Sequence, residues 1–152
     1  MTNQILNPFE ELLVGLVKAD VDFITVGGMA CVMNGHVRAT EDVDILINRN
    51  PANIKKLVSF LSDYGEGFGA ELSESDFSDE EGAIRVIESF PIDIFVVMGG
   101  NHFEDLMKYR KAYPVGEYSV PFLDADGLVL LKSGSVREKD KMDVIHLQGM
   151  KK

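Results

Sequence analysis

The sequence has 152 residues, 45% of them hydrophobic and 26% charged, with a formal net charge of −10. That length and composition fit one globular domain over 1–152, which would bury roughly two-thirds of its unfolded surface. The charge opposes broad electrostatic capture of polynucleotides, no apolar run reaches the length of a membrane span, and the N-terminus lacks a basic region followed by an apolar one. Cys31 is the one cysteine, which rules out an intrachain disulfide and fits a reducing, cytoplasmic location. The acidity is uneven: Glu66, Glu71, Glu74, Asp76, Asp79, Glu80 and Glu81 share a segment without Lys or Arg, and removing these seven leaves −3.

In chain order, Asn7, Pro8 and Glu10 supply an N-cap, a proline at the first helical position and a glutamate at N3. Phe9, Leu12, Leu13, Leu16 and Val17 then make an apolar stripe at helical spacing. Residues 23–26 are apolar and partly β-branched, as in a buried strand. Gly27-Gly28 permits a sharp turn and brings bare backbone close to whatever lies above it. Residues 29–34 suit a short helix whose free N–H groups could hold phosphate, with Cys31 a small buried side chain on it. Asp42 and Asp44 flank Val43, so the two-residue period of a strand puts both carboxylates on one face, and Ile45-Leu46-Ile47 anchors that strand.

Asn50-Pro51 repeats the cap-and-proline start, with Ile54, Leu57, Val58 and Leu61 inward and Gly65 as the stop. Residues 66–82 read as a mobile, solvated acidic loop with a short strand at 70–72. Residues 83–88 alternate as a strand. After a turn at Phe90-Pro91, residues 92–97 form a buried strand that contains one charge, Asp93. A carboxylate inside an apolar strand is costly unless a metal, a cation or water compensates it. A salt-bridged Asp93 would satisfy that requirement, but Asp42 and Asp44 upstream make a third metal ligand the expected role. Gly99-Gly100-Asn101 leads into a short helix, and residues 113–120, broken by Pro114 and Gly116, suggest short hairpin-like strands. Leu123-Asp124-Ala125-Asp126 caps a last apolar helix that ends near Lys132, and residues 137–147 form a final amphipathic element. The histidines lack metal-ligand spacing, and His36 reads as a surface residue at a helix end.

The order strand, Gly27-Gly28, short helix, Asp42-Val-Asp44, then Ile92-Asp93-Ile94 resembles the nucleotidyltransferase superfamily. With Leu128 to Lys132 and Arg137-Glu-Lys-Asp140-Lys-Met-Asp143, it looks most like the small bacterial proteins related to AbiEii-type toxins of abortive-infection systems. The resemblance covers about 22–147 and implies an α+β, polymerase β-like mixed sheet flanked by helices, with a C-terminal helical hairpin. It implies a Mg²⁺-dependent transferase that moves a nucleoside monophosphate from an NTP such as ATP to a hydroxyl on RNA, protein or a small molecule, as a toxin–antitoxin or defence component. Asp42, Asp44 and Asp93 would hold one or two Mg²⁺ ions, hard cations that suit carboxylate and phosphate oxygens. Asp93 would also help deprotonate the acceptor. Gly27 and Gly28 would take the β- and γ-phosphates, and Arg38 or Lys132 would neutralise them. Arg38 is otherwise solvated, and Lys132 otherwise lays its stem along the apolar helix. Asp140 and Asp143 orient Lys132 or pair with Lys139 and Lys141.

Two departures stand out. Gly28 replaces the serine found at that turn in many relatives, so backbone N–H groups must suffice for the phosphates. The chain ends soon after Leu147, without the extra domain that larger relatives use to hold the acceptor, which leaves the acceptor open and favours a partner protein or a homodimer. The alternative from another class is a non-catalytic nucleotide- or partner-binding module of the same fold. A narrower enzymatic alternative is an aminoglycoside-type transferase, since an acidic surface suits a cationic acceptor.

Overall fold

The computed structural model describes residues 7–36 and 39–132, with the backbone alone at Lys132. Asn7 opens helix α1 (Pro8–Lys18) with a reciprocal capping box: its Oδ1 accepts from the Glu10 N–H at 2.8 Å, and Glu10 Oε1 accepts from the Asn7 N–H at 3.1 Å. Two otherwise orphaned donors are thereby satisfied. Leu12, Leu13, Val14 and Leu16 bury the inner face of the helix. Strand β1 (Phe23–Val26) follows and is buried at every position. Helix α2 (Gly27–Met33) begins at once, so Gly27 and Gly28 form its first turn rather than a loop before it. Strand β2 (Val43–Ile47) and helix α3 (Pro51–Ser62) complete the first half.

Strand β3 (Ala83–Ile87) pairs antiparallel with β4 (Pro91–Phe95), and a small hairpin joins β5 (Val97–Met98) to β6 (Asn101–His102). Helix α4 (Phe103–Leu106), the hairpin of β7 (Arg110–Val115) and β8 (Tyr118–Leu123), and helix α5 (Ala125–Lys132) follow. The hairpin strands are six residues each, longer than the short pieces expected around Pro114 and Gly116. The main sheet runs β3-β4-β2-β1-β8-β7. It is mixed: β2 is parallel to β4 and β1 to β8, whereas β1–β2, β3–β4 and β7–β8 are antiparallel.

Strand alternation sends Phe23, Val43, Ile45, Ile47, Ile92 and Ile94 to one face, where they form a core with Leu12, Leu13 and Leu16 of α1 and Ile54, Leu57 and Leu61 of α3. Ile24, Val26 and Leu46 face the other way, against Ala30 and Cys31 of α2, Phe103 and Leu106 of α4 and Leu128 of α5. Asn53, 5% exposed, locks α3 to the sheet: its Oδ1 accepts from the Asp22 N–H at 2.6 Å and its amide donates to the carbonyls of Asp22 and Asn48. The start of β1 and the end of β2 are thus held by one amide with its bonds satisfied.

The acidic segment departs from expectation. Residues 70–72 are not a strand: Phe68–Glu71 forms a 3₁₀ turn and Glu74–Asp76 a second one. Nor is the segment a loose loop, because Phe77 is buried to 1% exposure. Glu88 accepts from the backbone N–H groups of Glu66 (2.7 Å) and Phe68 (3.0 Å), and Glu81 accepts from those of Gly99 and Gly100. Asp79 meets His102 Nε2 at 2.5 Å. The second helix of the expected C-terminal hairpin, with Asp140 and Asp143, lies outside the described residues.

Candidate metal centre

Pairing register brings the sequence-predicted carboxylates together. Asp44 on β2 stands beside Asp93 on the parallel strand β4, so the two side chains share a face. Asp42 lies two residues before Asp44, at the bend that opens β2, where its carbonyl accepts from Thr40 Oγ1 at 3.1 Å. One oxygen from each of Asp42, Asp44 and Asp93 lies within 4.8 Å of the others. Asp93 is buried at 6% exposure, whereas Asp42 and Asp44 are half-buried. The cluster opens on the α2 and α5 face of the sheet, opposite a cavity of about 1180 Å³ that lies along α3 between Ala19 and Glu74.

Sequence reasoning missed Arg85. In the β3–β4 hairpin it sits directly across from Asp93. Its Nε donates to Asp93 Oδ1 at 2.7 Å and its Nη2 to Oδ2 at 2.9 Å, a bidentate pair. The same Nη2 lies 3.7 Å from Asp42 Oδ2. Hydrogen bonding to Asp93, then the charges of Asp93, Asp42 and Asp44, raise the Arg85 pKa above its usual value, so the group is a fixed cation. A signal existed: a three-residue turn at 88–90 places residue 85 opposite residue 93 by counting back along the hairpin.

Gly27 is required by its surroundings. Its φ is +64°, and a Cβ there would fall 2.0 Å from Asp44 Oδ2. The backbone at the start of α2 therefore lies against the Asp44 carboxylate, as Val26 pairs with Asp44 across β1 and β2. Gly28 follows in the first turn of the helix. Asn34 at the other end ties α2 down through its amide, which donates to Ala30 O and to Leu123 O at the end of β8. Arg38 lies outside the described residues, and Lys132 is described only as the last backbone position of α5.

No family model matches the chain, and no curated protein matches it. Among solved structures, a protein of Thermotoga maritima described as a "putative nucleotidyltransferase" aligns with 97% of this chain and 95% of its own, with a TM-score of 0.57 and 14% identity. The fold is nucleotidyltransferase-like. It is the mixed α+β sheet flanked by helices that the motif order implies. The likeness does not single out the AbiEii-type proteins within that fold.

The residues present fit a divalent cation. The three carboxylates are hard oxygen donors, two on adjacent strands and one at the bend that opens β2. The Asp44 carboxylate lies where a Cβ at residue 27 would stand, so only glycine lets the start of α2 approach the cluster this closely.

Proposed function

We propose that the chain is a metal-dependent nucleotidyltransferase that moves a nucleoside monophosphate from an NTP to an acceptor hydroxyl. The observation that carries this reading is the register of Asp44 with Asp93, with Asp42 two residues away and the Gly27 backbone against Asp44. Asp42, Asp44 and Asp93 would hold Mg²⁺, one ion or two. When bound, Mg²⁺ offsets the negative charge of the triphosphate and stabilises the charge that develops as pyrophosphate departs. The acceptor oxygen bonds to the α-phosphorus, the bond from that phosphorus to the β-bridging oxygen breaks, and the hydroxyl proton passes to Asp93. The N–H groups at Gly27 and Gly28 face the phosphates, and Arg38 and Lys132 supply positive charge. The acceptor is a hydroxyl on RNA, protein or a small molecule. A cationic aminoglycoside suits the net charge of −10. A cytoplasmic toxin or defence component of the AbiEii kind, acting with a partner protein or as a homodimer, is the biological setting that the motif order supports.

A second reading has an observation in its favour. Arg85 satisfies both Asp93 oxygens, as it would in a nucleotide- or partner-binding module without catalysis. Incubation with each α-labelled NTP, Mg²⁺ and a cell extract separates the two. The enzyme labels an acceptor in Mg²⁺ and the Asp44→Asn variant does not. Equal labelling by both, or nucleotide binding without any labelling, would sink the transferase reading.

A further inference from the structure

Among the described residues, Arg85 is a cation that the carboxylate cluster already contains. It projects from an edge strand, its side chain 52% exposed, and its guanidinium reaches across Asp93 toward Asp42. We propose that Arg85 sets the divalent-ion affinity of this cluster, standing in for part of the missing positive charge in the metal-free protein and weakening metal binding in exchange. The inference rests on the reading of Asp42, Asp44 and Asp93 as metal ligands.

The argument is one of charge and of what holds the ligands in place. Three ionised carboxylates alone would repel one another strongly at separations within 4.8 Å. One guanidinium relieves that repulsion in the metal-free state, which lowers the gain on offer to an arriving cation. It also remains as a like charge beside that cation. Against this, Arg85 orients Asp93, and better orientation would favour the ion. The charge effect dominates because Asp93 does not depend on Arg85 for its place. Its backbone is fixed between β2 and β3 in the sheet, and its side chain is nearly buried. Arg85, being half-exposed, can shift outward enough to free an Asp93 oxygen for an arriving ion while its charge stays close by.

The test is calorimetric titration of the full chain with Mn²⁺ and with Mg²⁺, without nucleotide, for wild type, Arg85→Gln and Arg85→Lys. Arg85→Gln should bind either ion about tenfold more tightly at low salt, as expected for removing one unit charge several ångströms from a divalent ion. The gap should narrow as ionic strength rises. Arg85→Lys keeps the charge and should stay within about twofold of wild type if charge governs the affinity. In EDTA, Arg85→Gln should melt below wild type, yet show the larger upward shift when Mn²⁺ is added. Weaker or unchanged binding in Arg85→Gln, with wild type binding normally, overturns the inference and leaves the metal site standing. So does Arg85→Lys binding as tightly as Arg85→Gln. Failure of wild type to bind either ion, alone or with an NTP, overturns the metal-site reading and this inference with it.

Discussion

At the scale of single residues, the three aspartates are not equivalent, and the structure separates them in a way that periodicity could not. Asp93 is nearly buried and accepts two charge-assisted bonds from Arg85, while Asp42 is half-buried and sits 3.7 Å from the same guanidinium. Replacing Asp42 by Asn removes one of the repelling charges and little bonding. In EDTA its melting temperature should therefore match or exceed that of wild type. Asp93→Asn leaves Arg85 without its bidentate partner and a buried amide poorly matched to a guanidinium, and should cost about 1–3 kcal/mol in urea denaturation without metal. Both should abolish Mg²⁺-dependent label transfer. A destabilised Asp42→Asn would mean that Asp42 serves as a structural acceptor. Thr25 tests the opposite face of β1. Its hydroxyl is fully buried and has no hydrogen-bond partner among the described residues, so Thr25→Val, of nearly the same shape, should stabilise the protein by about 1 kcal/mol in the same assay. Strand period and apolar context made the aspartates legible in the sequence. Arg85 looked like an ordinary exposed position of β3, because the charge it answers lies on another strand.

At the scale of elements, capped helices were the most legible, since their signals are local. Asn7 and Asn50 both cap as the prolines that follow them suggest, Asn50 through its Oδ1 bond from the Ala52 N–H. The acidic segment was the least legible. Its order comes from single carboxylates finding distant donors, such as Glu88 with the backbone of Glu66 and Phe68, and from the burial of Phe77. None of those contacts leaves a periodic trace. Asp79 and His102 give this order a pH dependence. The hydrogen bond from His102 to Asp79, aided by the nearby Asp79 and Asp105 charges, raises the His102 pKa above its usual 6.5. A raised folded-state pKa means that the stabilisation is fully present below the unfolded value and fades as pH climbs through the folded one. The pair is exposed, so the effect should be local. An NMR titration of the His102 ring should give a midpoint above 6.5 in wild type and a lower one in Asp79→Asn. Limited proteolysis across 66–82 should speed up once pH passes the wild-type midpoint, and identical midpoints in the two proteins would remove Asp79 as the cause.

For the whole molecule, the long-range order of the sheet could not be counted off the chain. The central pairings β2–β4 and β1–β8 join strands far apart in sequence, and only the adjacent antiparallel hairpins carry a turn signal. The site is a product of that long-range order: Asp93 reaches Asp44 only because β4 lies parallel to β2. A chain of net charge −10 that gathers three carboxylates on one sheet face should repel a free triphosphate. A divalent ion reverses that by neutralising both parties at once, so nucleotide and metal should bind with positive coupling. Titration with ATP should give clear affinity in Mg²⁺ and a much weaker signal in EDTA. Reciprocity requires that ATP tighten Mg²⁺ binding by the same factor. Ligand at about 100 times its dissociation constant should stabilise the fold by about 2.7 kcal/mol, which for a domain of this size raises the melting temperature by roughly 5–10 °C. Arg85 complicates the size of the coupling without changing its sign: with one charge already neutralised, the wild type should depend on the ion somewhat less than Arg85→Gln does. ATP affinity that is equal in Mg²⁺ and EDTA would show that the carboxylates do not hold the ion the nucleotide needs, and would leave the Asp93–Arg85 pair as a structural bond in a fold put to another use.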